Sequence, residues 1–289
     1  MLQQAFGGLV MGFIYSLVAL GYNIIFATSG VINFAQGELV MLGALFGLSL
    51  LVSLKIPFVG VLVSVVLIVG TVSILLNKVA VEPLGKDPSA IGWVITTLGA
   101  GIIMRNLAMF GWGRETLFFP AVFPDKPLIF FRITILPQEL LIIFAAILMV
   151  SLIEVFYSRT IFGKAIRATA HDYKTARLMG IGTSNIIAVC FLMSGGLSAI
   201  AGVLISPITF ASAEMGAIIG LKGFAAAILG GLGNSRGALV GGLLLGVLEA
   251  LAVGIVTPGF KDAIAFILMI CILLIKPGGI MGAILEKKV

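Results

Sequence analysis

Asn33, Gln36 and Glu38 fall within six residues of one another in the stretch VINFAQGE (31–38), and Asn234, Ser235 and Arg236 stand together in GGLGNSRG (230–237). Both stretches interrupt otherwise apolar sequence. Amides, hydroxyls and a carboxylate at such spacing can exchange hydrogen bonds with a small zwitterion or amide. The same groups also serve to satisfy the polar backbone of a broken helix. Glu38 is costly wherever the chain is surrounded by lipid, about 2.5–3.5 kcal/mol for a charge at a helix centre on insertion scales, so it should face protein or water. Two readings of Asn33, Gln36 and Glu38 are therefore open: they line a path for a polar solute, or they stabilise a helix break and touch no solute. For Asn234, Ser235 and Arg236 a structural turn is the simpler reading.

Other chemistry is missing. Gly85-Lys86 precedes Asp87 and Gly163-Lys164 precedes Ala165, so neither completes the G-x-x-x-x-G-K-[ST] loop that cradles phosphate. The single histidine, His171, has no second metal ligand near it in sequence, and no nucleophile elbow or carboxylate dyad is present. Cys190 and Cys271 lie in apolar runs and read as small buried hydrophobes. The sequence therefore offers no catalytic centre, no metal site and no cofactor site.

Composition says what must position these residues. The chain is 60% hydrophobic and 10% charged, against about 25% charged in soluble proteins, and its mean hydropathy is +1.23. Long apolar runs without strand-like alternation point to an all-α, polytopic integral membrane bundle. Spans are expected at about 5–27, 33–54, 57–76, 91–110, 138–157, 185–206, 216–233, 238–256 and 262–276, eight or nine in all with discontinuous helices at the two polar breaks. The N-terminal run has no basic flank or small-residue cleavage pattern and reads as a retained first span. Gly43/Gly47, Gly216/Gly220, Gly237/Gly241 and Gly242/Gly246 have the spacing of close helix crossings. NFAQGELVMLGALFG (33–47) and LGNSRGALVGGLLLG (232–246) echo each other, as the halves of an internal repeat would. Arg105 and Glu249 are lone charges in apolar spans and receive no role.

Nine spans with the N-terminus outside place eleven basic residues on the inner side and six outside, the six being Lys55, Arg114, Lys126, Arg132, Lys222 and Lys261. That asymmetry favours an outer N-terminus and an inner C-terminus. The net charge of +6 follows from it and is no sign of nucleic-acid binding. The loop 111–137, rich in Phe and Pro, then lies outside as an interfacial aromatic belt or a docking surface.

One polar segment remains. SRTIFGKAIRATAHDYKTARLMGIG (158–182) holds Arg159, Lys164, Arg167, Lys174 and Arg177, five of the 18 basic residues. Helix is expected from Lys164 to Met179, ended by Gly180. Ala165, Ala168, Ala170 and Ala176 make its surface small and smooth, which suits a protein groove better than lipid. The segment resembles the cytoplasmic coupling loop of ABC importer permeases, with Ala176-x-x-x-Gly180 similar to the core of that motif and Lys174 standing where the fuller motif has Glu. More widely, GYNIIFATSGVINFAQGELVMLGA (21–44), GKAIRATAHDYKTARLMGI (163–181) and GFAAAILGGLGNSRGALVGGLLLGVLEAL (223–251) resemble the branched-chain amino-acid importer permeases, the shorter of that family's two subunit types.

The resemblance implies a single transmembrane permease domain over 1–289, with a coupling loop at 158–184, in a prokaryotic inner membrane. It implies a second permease subunit, two ATPase subunits that carry ATP and Mg, and an external binding protein. The ATPase would grip Lys164, Arg167, Lys174, Ala176, Arg177 and Gly180. Relatives thought to carry urea or short amides keep those substrates open, and an ion- or proton-coupled secondary transporter is the alternative mechanism. A purely structural scaffold would gain nothing from buried polar breaks.

Overall fold

A computed structural model describes residues 1–84, 90–123, 127–130 and 133–255, together with scattered positions between 263 and 282. Ten α-helices follow in order among these residues: α1 Leu2–Ser29, α2 Gln36–Leu48, α3 Phe58–Leu76, α4 Ala90–Trp112, α5 Pro137–Arg159, α6 Ile161–His171, α7 Tyr173–Leu178, α8 Thr183–Thr209, α9 Met215–Gly230 and α10 Ser235–Ile255. Single π-helical turns at Ser49–Ser53 and Asn77–Val81 extend α2 and α3. Seven of the helices, with those extensions, are long and apolar enough to cross a bilayer, and α9 is a shorter apolar helix. This is a polytopic helical membrane protein. The span expected at 262–276 falls mostly outside the described residues.

Helix α1 is apolar on every face, and it is buried on nearly every face from Gly12 to Ile25. A helix of that kind belongs in the middle. It is packed by α8, α9 and α10, while α3, α4 and α5 turn Val63, Ile103, Phe110 and Phe144 outward, as a lipid-facing ring requires. Packing of α1 rests on small residues. Gly242 and Gly246 of α10 sit against Ser16 and Gly12, and Ser16 Oγ donates to Leu239 O across the crossing at 3.0 Å. The other three glycine pairs lie at internal crossings as well: Gly43/Gly47 on Ala199 and Val203, Gly216/Gly220 on Gly37, and Gly237/Gly241 on Gly230 and Ala226. A Cβ at any of the eight would meet its neighbour under 3.0 Å. These pairs hold one chain together.

Several expectations are corrected. The helix expected over 164–179 is two helices, because Asp172 leaves helical geometry (φ −153°, ψ 105°) to cap α7. Its Oδ1 accepts from Lys174 N at 2.9 Å and Thr175 N at 3.1 Å. Gly180 ends α7 with φ +85°, as anticipated. Lys222, counted among the outer cations, lies buried within α9, which leaves five cations in that count. Cys190 is buried but Cys271 is exposed. The loop 111–137 is less irregular than it reads: β1 Leu128–Phe130 and β2 Ile133–Ile135 pair antiparallel in it.

The two polar breaks have different geometry. At the first, α1 ends on Gly30 (φ +71°), and α2 begins at Gln36 against Ser194 and Ser198, which flank the midpoint of α8. Helix α2 therefore starts deep in the bundle. At the second, α9 ends at Gly230, and Asn23 of α1 clamps the reversal: its Nδ2 donates to Asn234 O at 2.8 Å and its Oδ1 accepts from Gly233 N at 3.2 Å. Asn33 and Asn234 play the same local part. Each accepts on Oδ1 from the backbone N–H two residues on, at 3.1 Å to Ala35 and 3.0 Å to Arg236.

Candidate functional site

The residues of the first break divide by burial and bonding. Gln36 is fully buried: its Nε2 donates to Ser198 Oγ at 2.6 Å and its Oε1 accepts from Ser194 Oγ at 3.0 Å. Asn33, equally buried, donates to Gln36 Oε1 at 3.4 Å. Both side chains serve the break, joining the start of α2 to α8. Glu38 does something else. In the first turn of α2, it faces a cleft of about 190 Å3 between α2, α4 and α9. The residue is 8% exposed, and its Oε2 has no hydrogen-bond partner among the described residues.

Glycine brings the walls together. At the cleft floor Gly37 lies against Gly216 and Gly220, so α2 and α9 cross with their backbones nearly in contact. Helix α9 reaches that depth because the chain turns sharply at Phe210 (φ +64°) after α8 and runs inward through buried Ala211 and Ala213. A bridge from Leu117 to Ala211 holds this re-entrant segment. Two helix N-termini thus meet inside the bundle, and their positive dipole ends favour an acidic side chain such as Glu38.

The third wall is α4. Leu98, Gly101, Ile102 and Arg105 form one helical stripe along the cleft. Phe34 and Tyr22 close the other end, their rings 5.4 and 5.5 Å from that of Phe224, and the Tyr22 hydroxyl donates to Gly220 O at 3.3 Å. A carboxylate and a guanidinium therefore line one small, largely apolar cavity. Arg105, Phe34 and Tyr22 were not singled out from the sequence as site residues. The available signal was the Leu-x-x-Gly-Ile-x-x-Arg stripe, which puts the lone charge on the face of a glycine.

A second charged pair in the bundle is closed. Lys222 Nζ lies 2.7 Å from Glu249 Oε1, with the side chains 4% and 2% exposed, and the same Nζ stands 5.9 Å from the centre of the Tyr15 ring. This pair joins α9 to α10 beside α1, which accounts for the lone Glu249.

The opposite end of the bundle carries the cationic segment. Lys164, Arg167, Lys174, Arg177 and Gly180 are exposed, whereas Ala176 is buried at 4% and packs inward. Gly163, Ile166 and Thr169 form the inner face of α6, with Gly163 against the backbone of Phe156 and Tyr157. Ile161, Phe162, Leu178 and Met179 are exposed among the cations. Hydrogen bonds from Thr175, side chain and backbone, hold the Asp172 carboxyl below its ordinary range, so the cap of α7 is ionised at neutral pH. Between α6 and the second break a cavity of about 710 Å3 is lined by Arg167, Asn234, Ser235 and Arg236. Arg236 also pairs with Glu154 at 2.8 Å on the surface. The structure thus brings the second break and the cationic segment together, and keeps both apart from Glu38.

Residues 4–273 match the family described as branched-chain amino acid transport system / permease component. The chain belongs to this family. Members it is similar to include the high-affinity branched-chain amino acid transport system permease proteins LivH of Escherichia coli (strain K12), 32% identical over 97% of this chain and 95% of that protein, and BraD of Pseudomonas aeruginosa, 33% identical over the same shares. A probable branched-chain amino acid transport permease protein LivH of Methanocaldococcus jannaschii is 29% identical over 97% of this chain and 92% of that one. Nearly the whole of this permease is therefore covered by its relatives, both polar breaks and the cationic segment included.

Proposed function

We propose that this permease is the membrane subunit of an ATP-driven importer that moves branched-chain or closely related amino acids into a prokaryotic cell across its inner membrane. The observation that carries the reading is the pairing of a deep, charged, solute-sized cleft with a separate exposed cationic segment, in a chain whose relatives are permeases of branched-chain amino acid transport systems. The two are the parts an energised importer needs: a place for solute within the membrane and a handle for an engine outside it.

On this reading α6 and α7 face the cytosol and dock on an ATPase subunit. Lys164, Arg167, Lys174 and Arg177 supply charge, and Phe162, Leu178 and Met179 supply the apolar contact. Closure of two ATPase subunits on ATP and Mg pushes this segment. The cavity behind α6 allows it to move against the Asn234–Arg236 turn. A second permease subunit faces the cleft, and an external binding protein delivers the amino acid. The chain itself hydrolyses nothing. Population shifts between inward and outward states then follow from ATP binding to the partners.

Cysteine replacements at Lys164 and Lys174 test the reading. An impermeant maleimide should modify them in inverted membrane vesicles and leave them unmodified in right-side-out vesicles. Modification from the outer side would leave the segment without an engine to grip, and the reading would fail.

A further inference from the structure

Among the described residues the bundle holds two pairs of opposite charges, built differently. Lys222 and Glu249 are in contact at 2.7 Å and almost wholly enclosed, the arrangement of a structural pair. Glu38 and Arg105 line one cleft, yet among the described residues neither forms an ion pair and the buried Glu38 Oε2 has no hydrogen-bond partner. A carboxylate and a guanidinium at membrane depth without a direct ion pair between them are each expensive. They become favourable together when a solute bearing the complementary charges lies between them. An amino acid is such a solute, because its carboxylate and ammonium are attached to one carbon.

The rest of the cleft fits the remaining part of that molecule. Phe34, Leu98, Ile102 and Leu221 form apolar walls, and Gly37, Gly216 and Gly220 close the floor where α2 and α9 cross. A volume of about 190 Å3 would hold roughly six waters at ~30 Å3 each, the scale of one small solute. Leu98, Ile102 and Leu221 are 45%, 54% and 47% exposed, so the cleft opens on the flank of the bundle, where a second permease subunit would cover it.

We propose that this cleft is the amino-acid site of the permease, with Arg105 binding the α-carboxylate, Glu38 binding the α-ammonium, and Phe34, Leu98, Ile102 and Leu221 receiving an aliphatic side chain. The proposal rests on the importer reading given above and adds the site to it. Arginine suits the carboxylate because its fork can donate two parallel hydrogen bonds. Asn33 and Gln36 hold the start of α2 in place and do not contact the solute. Selectivity for aliphatic side chains comes from the walls, where one methylene changes binding by about 10- to 200-fold.

The test uses the full complex, with its partner permease, ATPases and binding protein, in proteoliposomes containing ATP. The probe is a leucine analogue with a diazirine in its side chain. Illumination should attach it to peptides containing Leu98, Ile102 or Leu221, and excess leucine should suppress the attachment. Losing a charge-assisted hydrogen bond weakens binding by about 10- to 150-fold, so Arg105→Gln and Glu38→Gln should each reduce labelling and leucine uptake on that scale. Ile102→Trp narrows a half-exposed wall without disturbing the interior. It should lower uptake of leucine more than that of alanine, which keeps the test alive if the charge variants fail to assemble. Attachment confined to residues outside the cleft, in a complex that imports leucine, overturns the site and leaves the importer reading standing. A complex that hydrolyses ATP but imports no amino acid overturns both.

Discussion

Separating Lys222 from Glu249 should be costly, and the geometry gives the size of the loss. The pair is 2.7 Å apart, its side chains are 4% and 2% exposed, and it lies between α9 and α10 against α1. Removing one partner takes from the other, a buried charge, its counter-ion at 2.7 Å. Broken buried pairs cost about 3–5 kcal/mol, and a lone lysine or acid at the centre of a membrane helix costs about 2.5–3.5 kcal/mol, so two separate scales agree on ~3 kcal/mol. For a chain of this size each kcal/mol shifts the melting midpoint by about 2–4 °C, which gives a drop of ~6–12 °C. Lys222→Met and Glu249→Leu should each show it when detergent-solubilised protein is heated and the surviving fraction is read by size exclusion. The double variant removes both charges and should melt no lower than the worse single variant. If instead the two losses add, the pair is not coupled, and the contrast between a closed structural pair and an open cleft pair fails with it.

Other elements give further predictions. Asn23→Ala leaves the 231–234 reversal without its clamp, and each buried backbone group left unpaired costs about 1–3 kcal/mol, so thermal stability should fall measurably. Gly246→Leu forces α10 away from Gly12, and overpacking of about 1–3 kcal/mol or more should show as a lower melting midpoint and poorer recovery from the membrane. Asp172→Ala removes the cap that separates α6 from α7, so ATP-driven uptake should fall while melting behaviour changes little, because that carboxylate is fully exposed. Hydrogen bonds depress the Asp172 pKa, so what the charged cap contributes is present above the ordinary carboxylate range, near pH 4, and is lost as pH falls through the depressed value. Uptake measured around neutral pH should therefore show no step attributable to Asp172.

Much of this architecture is legible in the residues alone. Continuous apolar runs identify the spans, four-spaced glycines mark the crossings, and VINFAQGE announces that α2 starts inside the bundle. Other features depend on what lies across from a residue. Arg105 is an isolated charge until α4 is laid beside Glu38, and Lys222 resembles a loop cation until Glu249 is brought to it from α10. Asn33 and Gln36 advertise the same chemistry as Glu38, and only three-dimensional packing shows that their hydrogen bonds are spent on Ser194, Ser198 and each other. The division of the cationic segment was within reach: Asp172 followed by Thr175 is an N-cap pattern, outweighed in the sequence reading by the alanines and cations around it. The re-entrant approach to α9 carries the weakest signal, a single short polar stretch, ASAEMG (211–216), before an apolar helix of 16 residues.

The account's central claim is that this permease moves amino acids only when separate ATPase subunits drive it. Radiolabelled leucine uptake into proteoliposomes, with the complete complex or with this chain alone, addresses that claim most directly. The complete complex should accumulate leucine only with ATP on the side of α6 and α7, and this chain alone should accumulate none under an imposed proton gradient. Leucine accumulation by the chain alone, driven by protons in the absence of ATP, would contradict the account.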